Sequence, residues 1–253
     1  MVHSFLLIGQ SNAAGRGKLE EAEPLDTCGG KLKVLRNGRW QTMYRPVNTD
    51  RSFSGTCFAE SFAKAYSEIH PDVEVGIIPC ADGGTRLEQW ECGGLLFDNA
   101  VNCAKLAMRT STLVGVLWHQ GESDCASERY PFYYERFQKI MRALRQELDI
   151  ENVPFIVGGL GDFLVNCSRL ADLENYIYVN EALQRIAKEE KNCAFVSAVG
   201  LGANPDNLHF SAQALKEFGI RYFDEFQKIV SEEIIDDNAP KVNGSIMSEI
   251  ELL

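Results

Sequence analysis

The sequence lacks any apolar run long enough to span a bilayer, so no membrane-crossing segment is expected. No secretory leader is expected either: Met1-Val2-His3-Ser4 carries no basic region, and the apolar residues that follow are only a strand's length. Its eight cysteines contain no Cys-x-x-Cys pair, which removes the commonest zinc spacing and disfavours a disulfide framework. These three absences lead us to expect a cytoplasmic protein with reduced, mostly packing thiols. Basic residues are in deficit, 25 Lys and Arg against 36 Asp and Glu, for a net charge of −11. A broad nucleic-acid surface or an affinity for anionic membranes needs the opposite balance. Fixed-period repeats and low-complexity linkers are missing too. A single domain over residues 1–235 is expected, with 236–253 as a loosely docked extension.

What is present is a soluble-protein composition, 45% hydrophobic and 24% charged, that should build its own core. Short apolar runs alternate with amphipathic stretches. Strands are expected at Phe5–Ile8, Val73–Ile78, Leu113–Trp118, Pro154–Val157 and Ala194–Ala198. Helices are expected at 57–69, 95–108, 131–148, 173–188 and 211–234. This alternation predicts an α/β fold, a parallel sheet covered by helices on both faces. Asn37-Gly38 between two short strand-like runs predicts a hairpin, read as a surface ribbon.

The informative polar residues follow the strands. Ser11 follows the first, Gly83-Gly84-Thr85 the second, His119-Gln120-Gly121-Glu122-Ser123-Asp124 the third, and Asp206-Asn207-Leu208-His209 the fifth. The carboxyl ends of parallel strands share one edge, where ligands bind. Each cluster alone has a structural use, as a cap, a tight turn or a loop brace. Together they complete an acyl-transfer site. A serine needs a base to take its proton, and of four histidines His209 is the one placed to act. Asp206, three residues earlier, can orient the imidazole from the same turn. The Ser11 N–H, a backbone N–H at Gly84 and the Gln120 side chain are candidate oxyanion donors. The nucleophile elbow G-x-S-x-G is missing, because Gly9-Gln10-Ser11-Asn12-Ala13 ends in alanine.

On these blocks, taken in order with Trp90 behind the second, the chain resembles the SGNH hydrolase superfamily. More narrowly it resembles the sialate O-acetylesterase-like domain and carbohydrate esterase family 6, which includes acetylxylan esterases. The resemblance implies a three-layer α/β/α sandwich with a flavodoxin-like five-stranded parallel sheet. It implies hydrolysis of O-acetyl esters on carbohydrates, without a metal or other cofactor. It makes Ser11 the nucleophile and His209 the base, with Gly84 and Gln120 as oxyanion donors. It leaves two candidates for the orienting acid, Asp206 and Glu122. Arg16, Arg86, Trp90 and Trp118 lie near the same loops as candidate substrate contacts. Two other classes remain open: a lipase- or thioesterase-like enzyme on the same fold, and a carbohydrate-binding protein on an inactive scaffold.

Overall fold

The first strand, β1 (Val2–Gly9), is buried along its whole length, and Phe5 to Ile8 are completely inaccessible. Such a run can only be the middle of a sheet. In the computed structural model, which describes residues 1–230, β1 pairs in parallel with β4 (Glu74–Pro79) on one side and β5 (Thr112–His119) on the other. β6 (Phe155–Gly158) and β7 (Cys193–Val196) extend the sheet in parallel beyond β5.

The Asn37-Gly38 hairpin forms, but not as a free surface ribbon. β2 (Leu32–Arg36) joins β4 in parallel and β3 (Arg39–Thr42) closes the edge antiparallel to β2. The sheet therefore has seven strands rather than the five expected, in the order β3-β2-β4-β1-β5-β6-β7. The physical reason is the open edge of β4. Its unpaired N–H and C=O groups need partners, and the apolar Leu32 and Val34 are buried once β2 lies there.

Side-chain alternation along the central strands sends residues to two faces. Phe5 points to the layer formed by α2 (Phe58–Ile69) and α6 (Ala212–Ile229). There it meets Phe62, Tyr66 and Phe226 edge-on, at centroid distances of 4.7, 4.9 and 5.5 Å. Trp118 points to the other layer and stacks on Phe137 at 4.6 Å. That layer holds α3 (Leu95–Ala107), α4 (Tyr133–Leu148) and α5 (Tyr176–Glu189), packed side by side. Full burial of each such side chain stabilises by about 1.5–3 kcal/mol.

Caps set the helix ends that matter for the site. Cys57, expected inside α2, is its N-cap, and its N–H donates to Glu60 Oε1. Ser211 caps α6 by accepting from the Ala214 N–H at 3.2 Å. That fixes where the loop carrying His209 ends. The expected continuation of α6 past residue 230 and the 236–253 extension lie outside the described residues. Among the described residues, no helix is long and apolar enough to cross a membrane.

Candidate active site

β1 ends because Gly9 adopts φ +128°, a conformation closed to most residues. A Cβ there would lie 2.0 Å from the His119 carbonyl oxygen. Glycine lets the chain cross β5 closely, and the Gln10 N–H donates to that carbonyl at 2.9 Å. The chain then turns into α1 (Ser11–Ala14), a single turn that presents Ser11 at its first position. The Ser11 N–H therefore has no acceptor within the helix.

The loop between β7 and α6 brings the partners. His209 Nε2 lies 3.1 Å from Ser11 Oγ. Asp206 Oδ2 lies 2.7 Å from His209 Nδ1. Asp206 Oδ1 accepts from the N–H groups of Leu208 and His209 at 3.0 and 3.1 Å. Burial alone would raise the Asp206 carboxyl, but those two amides and the His209 ring outweigh it and hold it below the usual range. A carboxylate on Nδ1 requires an N–H there. That leaves the Nε2 lone pair to accept the Ser11 hydroxyl.

The structure separates the two candidate acids. Glu122 does not reach His209. It is buried, and its Oε1 accepts from Asn12 Nδ2 at 2.5 Å. Asp206 is the acid on the histidine because a turn of three residues brings it there. Glu122 is engaged with Asn12 instead.

Gln120 is also placed differently from expectation. Its side chain is fully buried, and its NH₂ donates to the Thr85 carbonyl at 3.1 Å and to Asp124 Oδ2. With its donors engaged there, the side chain braces the glycine loop instead of facing Ser11. Gly83 and Gly84 do stand beside the nucleophile. A Cβ on Gly83 would come within 3.4 Å of Ser11 Cβ and 2.9 Å of Asp50 Oδ2. The Gly83 N–H is taken by Asp50 at 2.9 Å, which leaves Gly84, a lining residue of the pocket, as the candidate backbone donor on this side.

Asp50 carries no signal in the sequence, yet it anchors this loop. Its carboxylate meets Arg16 at 2.6 Å, accepts from Ser54 Oγ at 2.8 Å, and is almost wholly buried. Burial pushes its carboxyl up, but Arg16, Ser54 and the Gly83 N–H more than offset this and hold it below the usual range. Arg16 is thus an ion-pair partner and not a free substrate contact. Asp50→Ala leaves a buried guanidinium uncompensated, at a cost of about 3–5 kcal/mol. We expect Tm to fall by about 10 °C in calorimetry. The sign of the pH effect follows from the lowered carboxyl. Its stabilisation is complete above the unfolded value, about pH 4, and is lost as pH drops through the folded value. The acid limb of stability should therefore be shallower in Asp50→Asn.

Ser11 opens onto a pocket of about 640 Å³. Its walls include Phe53, Gly84, Arg86, Arg129, Leu170 and His209. Phe53 is 69% exposed. The Arg16 guanidinium lies 5.3 Å from its ring centre. Trp90 and Trp118, expected near the substrate, are both completely buried; Trp90 Nε1 donates to Thr85 Oγ1 at 3.0 Å. They are core residues and cannot stack on a ligand. Arg86 is exposed at the pocket and makes no ion pair among the described residues. Among the described residues, no cluster of His, Cys, Asp and Glu could hold a metal ion. A smaller cavity, about 110 Å³, lies beside Arg45, Glu60 and Lys216. The Cys57 thiol next to it is pushed far up by burial, which keeps it protonated and inert.

This geometry can perform acyl transfer: a hydroxyl on a base, a base on an acid, backbone donors alongside, and room for a leaving group. Comparison with known proteins points the same way. The carbohydrate esterase family described as sialic acid-specific acetylesterase matches residues 1–228. A probable carbohydrate esterase of Arabidopsis thaliana is 26% identical over 238 residues, spanning 85% of this chain and 86% of its own. The crystal structure of that Arabidopsis protein superposes with a TM-score of 0.79 at 25% identity, over 89% of this chain and 98% of its own. In fold alone, the chain is also similar to NanS, with a TM-score of 0.69 at 18% identity, over 90% of this chain and 97% of the other.

Proposed function

The chain belongs to the carbohydrate esterase family described as sialic acid-specific acetylesterase, and from that premise we propose that it removes O-acetyl groups from carbohydrates through an acetyl-serine intermediate on Ser11. It is a carboxylic ester hydrolase. The observation that carries the mechanism is the continuous hydrogen-bonded line from Ser11 Oγ through the His209 ring to Asp206 Oδ2, 3.1 and 2.7 Å long.

In the first half-reaction Ser11 Oγ attacks the acetyl carbonyl carbon and its proton passes to His209 Nε2. The Asp206 carboxylate stabilises the imidazolium that forms. Negative charge gathers on the former carbonyl oxygen, towards the N–H groups of Ser11 and Gly84. The tetrahedral species collapses, the sugar C–O–acetyl bond breaks on the acyl side, and His209 returns the proton to the departing sugar oxygen. Water, deprotonated by His209, then attacks the acetyl carbon; the bond from that carbon to Ser11 Oγ breaks, His209 returns the proton to Oγ, and acetate leaves.

The pocket suggests which sugars enter. Phe53 offers an exposed aromatic face for a pyranose ring. Arg86 offers an exposed cation that makes no ion pair among the described residues, which favours an acidic sugar over a neutral xylo-oligosaccharide. The expected results are a higher kcat/KM on acetylated sialic acid than on acetylated xylobiose, and an acetyl optimum on nitrophenyl esters. A preference for long acyl chains would contradict the carbohydrate reading and favour a lipase. Phe53→Ala should raise KM for both sugars by about tenfold, from loss of the stacking face. Arg86→Ala should raise KM for the acidic sugar only. A loss equal on both sugars would remove the acidic-sugar preference.

A further inference from the structure

His209 sits on a loop, and a loop by itself does not hold a base within 3.1 Å of a nucleophile carried by another element. The side chain of Asn12 ties the flanks of His209 to the nucleophile's turn. Asn12 follows the nucleophile directly and is 1% exposed. Its Oδ1 accepts from the Phe210 N–H at 3.1 Å. Its Nδ2 donates to the Leu208 carbonyl at 3.1 Å. Both peptide flanks of His209 are thus pinned by the residue next to Ser11.

An amide can be turned end for end, and in the wrong orientation it would set Oδ1 against a carbonyl and Nδ2 against an N–H. Glu122 prevents this. Its Oε1 accepts the second Nδ2 proton at 2.5 Å, and a carboxylate oxygen demands a donor. Glu122 in turn is held on the 3-10 turn after β5, Glu122–Asp124. That turn is fastened back to the nucleophile's strand end by Gln10 Oε1, which accepts from the N–H groups of Gly121 and Ser123 at 3.3 and 3.4 Å. His119 Nδ1 also lies near the carboxylate, 3.9 Å from Oε1.

We propose that Asn12 and Glu122 are one positioning device for the esterase: Asn12 holds the His209 loop in register with Ser11, and Glu122 locks the orientation of the Asn12 amide. The proposal rests on Ser11 and His209 being nucleophile and base. It assigns Glu122 a role in the reaction without contact to the histidine. Glu122 is a positioning residue and not an orienting acid.

The test uses the full-length protein and two readouts, steady-state acetate release and the rate of covalent phosphonylation of Ser11 by an alkyl fluorophosphonate, with fluoride as the leaving group. The second reports activation of the serine with no sugar bound. Asn12→Ala and Glu122→Ala should each lower kcat by up to about 100-fold, the cost of a misplacement near 1 Å, with KM little changed. Phosphonylation should slow in parallel. The double variant should lose much less than the product of the single losses, because the two residues act in series. Glu122→Gln keeps an oxygen for Asn12 Nδ2 and should recover most of the loss. If Asn12→Ala does not fold, Asn12→Asp retains the acceptor for Phe210 but cannot donate to Leu208 or Glu122, and should be slow in the same way. Unchanged kcat and phosphonylation per folded molecule in Glu122→Ala would overturn the proposal. So would a Glu122→Gln variant as slow as Glu122→Ala, because the charge and not the acceptor would then be in use. A failure of the function itself is distinguishable, since it would appear as acetate release that survives Ser11→Ala.

Discussion

Ser11→Ala will lower acetyl-ester turnover by about a million-fold while the protein keeps its fold and its Tm. Removal of a serine nucleophile from a comparable triad has an effect of this size. The magnitude follows from the geometry, because His209 Nε2 has Ser11 Oγ as its reacting partner at 3.1 Å. Without the hydroxyl, the backbone donors and the pocket remain. They leave at most the residual rate that binding and oxyanion stabilisation supply. Ser11 is 7% exposed and its hydroxyl fills little volume, so the core should not notice the change. Acetate release per folded molecule, with calorimetry beside it, checks both halves. A loss of less than about a hundred-fold would mean that another group or a water is the nucleophile.

The second large effect belongs to Asp206. Asp206→Asn can keep Oδ1 on the Leu208 and His209 amides, so the turn should survive. In place of Oδ2 it puts an NH₂ against Nδ1, 2.7 Å away in the native protein. That forces the imidazole into the tautomer whose Nε2 carries the proton and cannot accept from Ser11. A loss of about 10⁴ in kcat is expected, with KM nearly constant. Arg169, 65% exposed at its side chain and 3.6 Å from Asp206, is too solvated to matter on this scale. A fall of less than tenfold in Asp206→Asn would return Glu122 to consideration as the orienting acid.

Strand positions were legible in the sequence because buried parallel strands read as short apolar runs with glycine or polar residues after them. The order of functional blocks was legible for the same reason: each block begins where such a run stops. Four features were not. Strand β2 reads Leu32-Lys33-Val34-Leu35-Arg36, which fits a half-exposed ribbon as well as a strand inserted between β3 and β4; only non-local pairing decides. Side-chain direction was equally hidden. Trp118 and His119 are neighbours that point to opposite layers of the sheet, and Gln120 turns inward to Asp124. Asp50 and Phe53 lie in an irregular stretch without periodicity, so nothing marked them before the fold placed that stretch at the pocket. The choice between Asp206 and Glu122 needed coordinates for a simpler reason. Asp206 lies three residues before His209 and Glu122 lies in another loop at the same edge of the sheet, and spacing alone cannot say which of the two carboxylates reaches the His209 ring.

The mechanism turns on a covalent acetyl group at one oxygen. It is tested most directly by rapid acid quenching of the enzyme during turnover of 4-nitrophenyl acetate, followed by mass mapping of the peptide that carries residues 9–16. One acetyl group on Ser11 is expected, formed with a burst of nitrophenol, and lost on standing as water completes the cycle. Continued acetate release with that peptide unmodified at every quench time, or with the acetyl group on another residue, would contradict it.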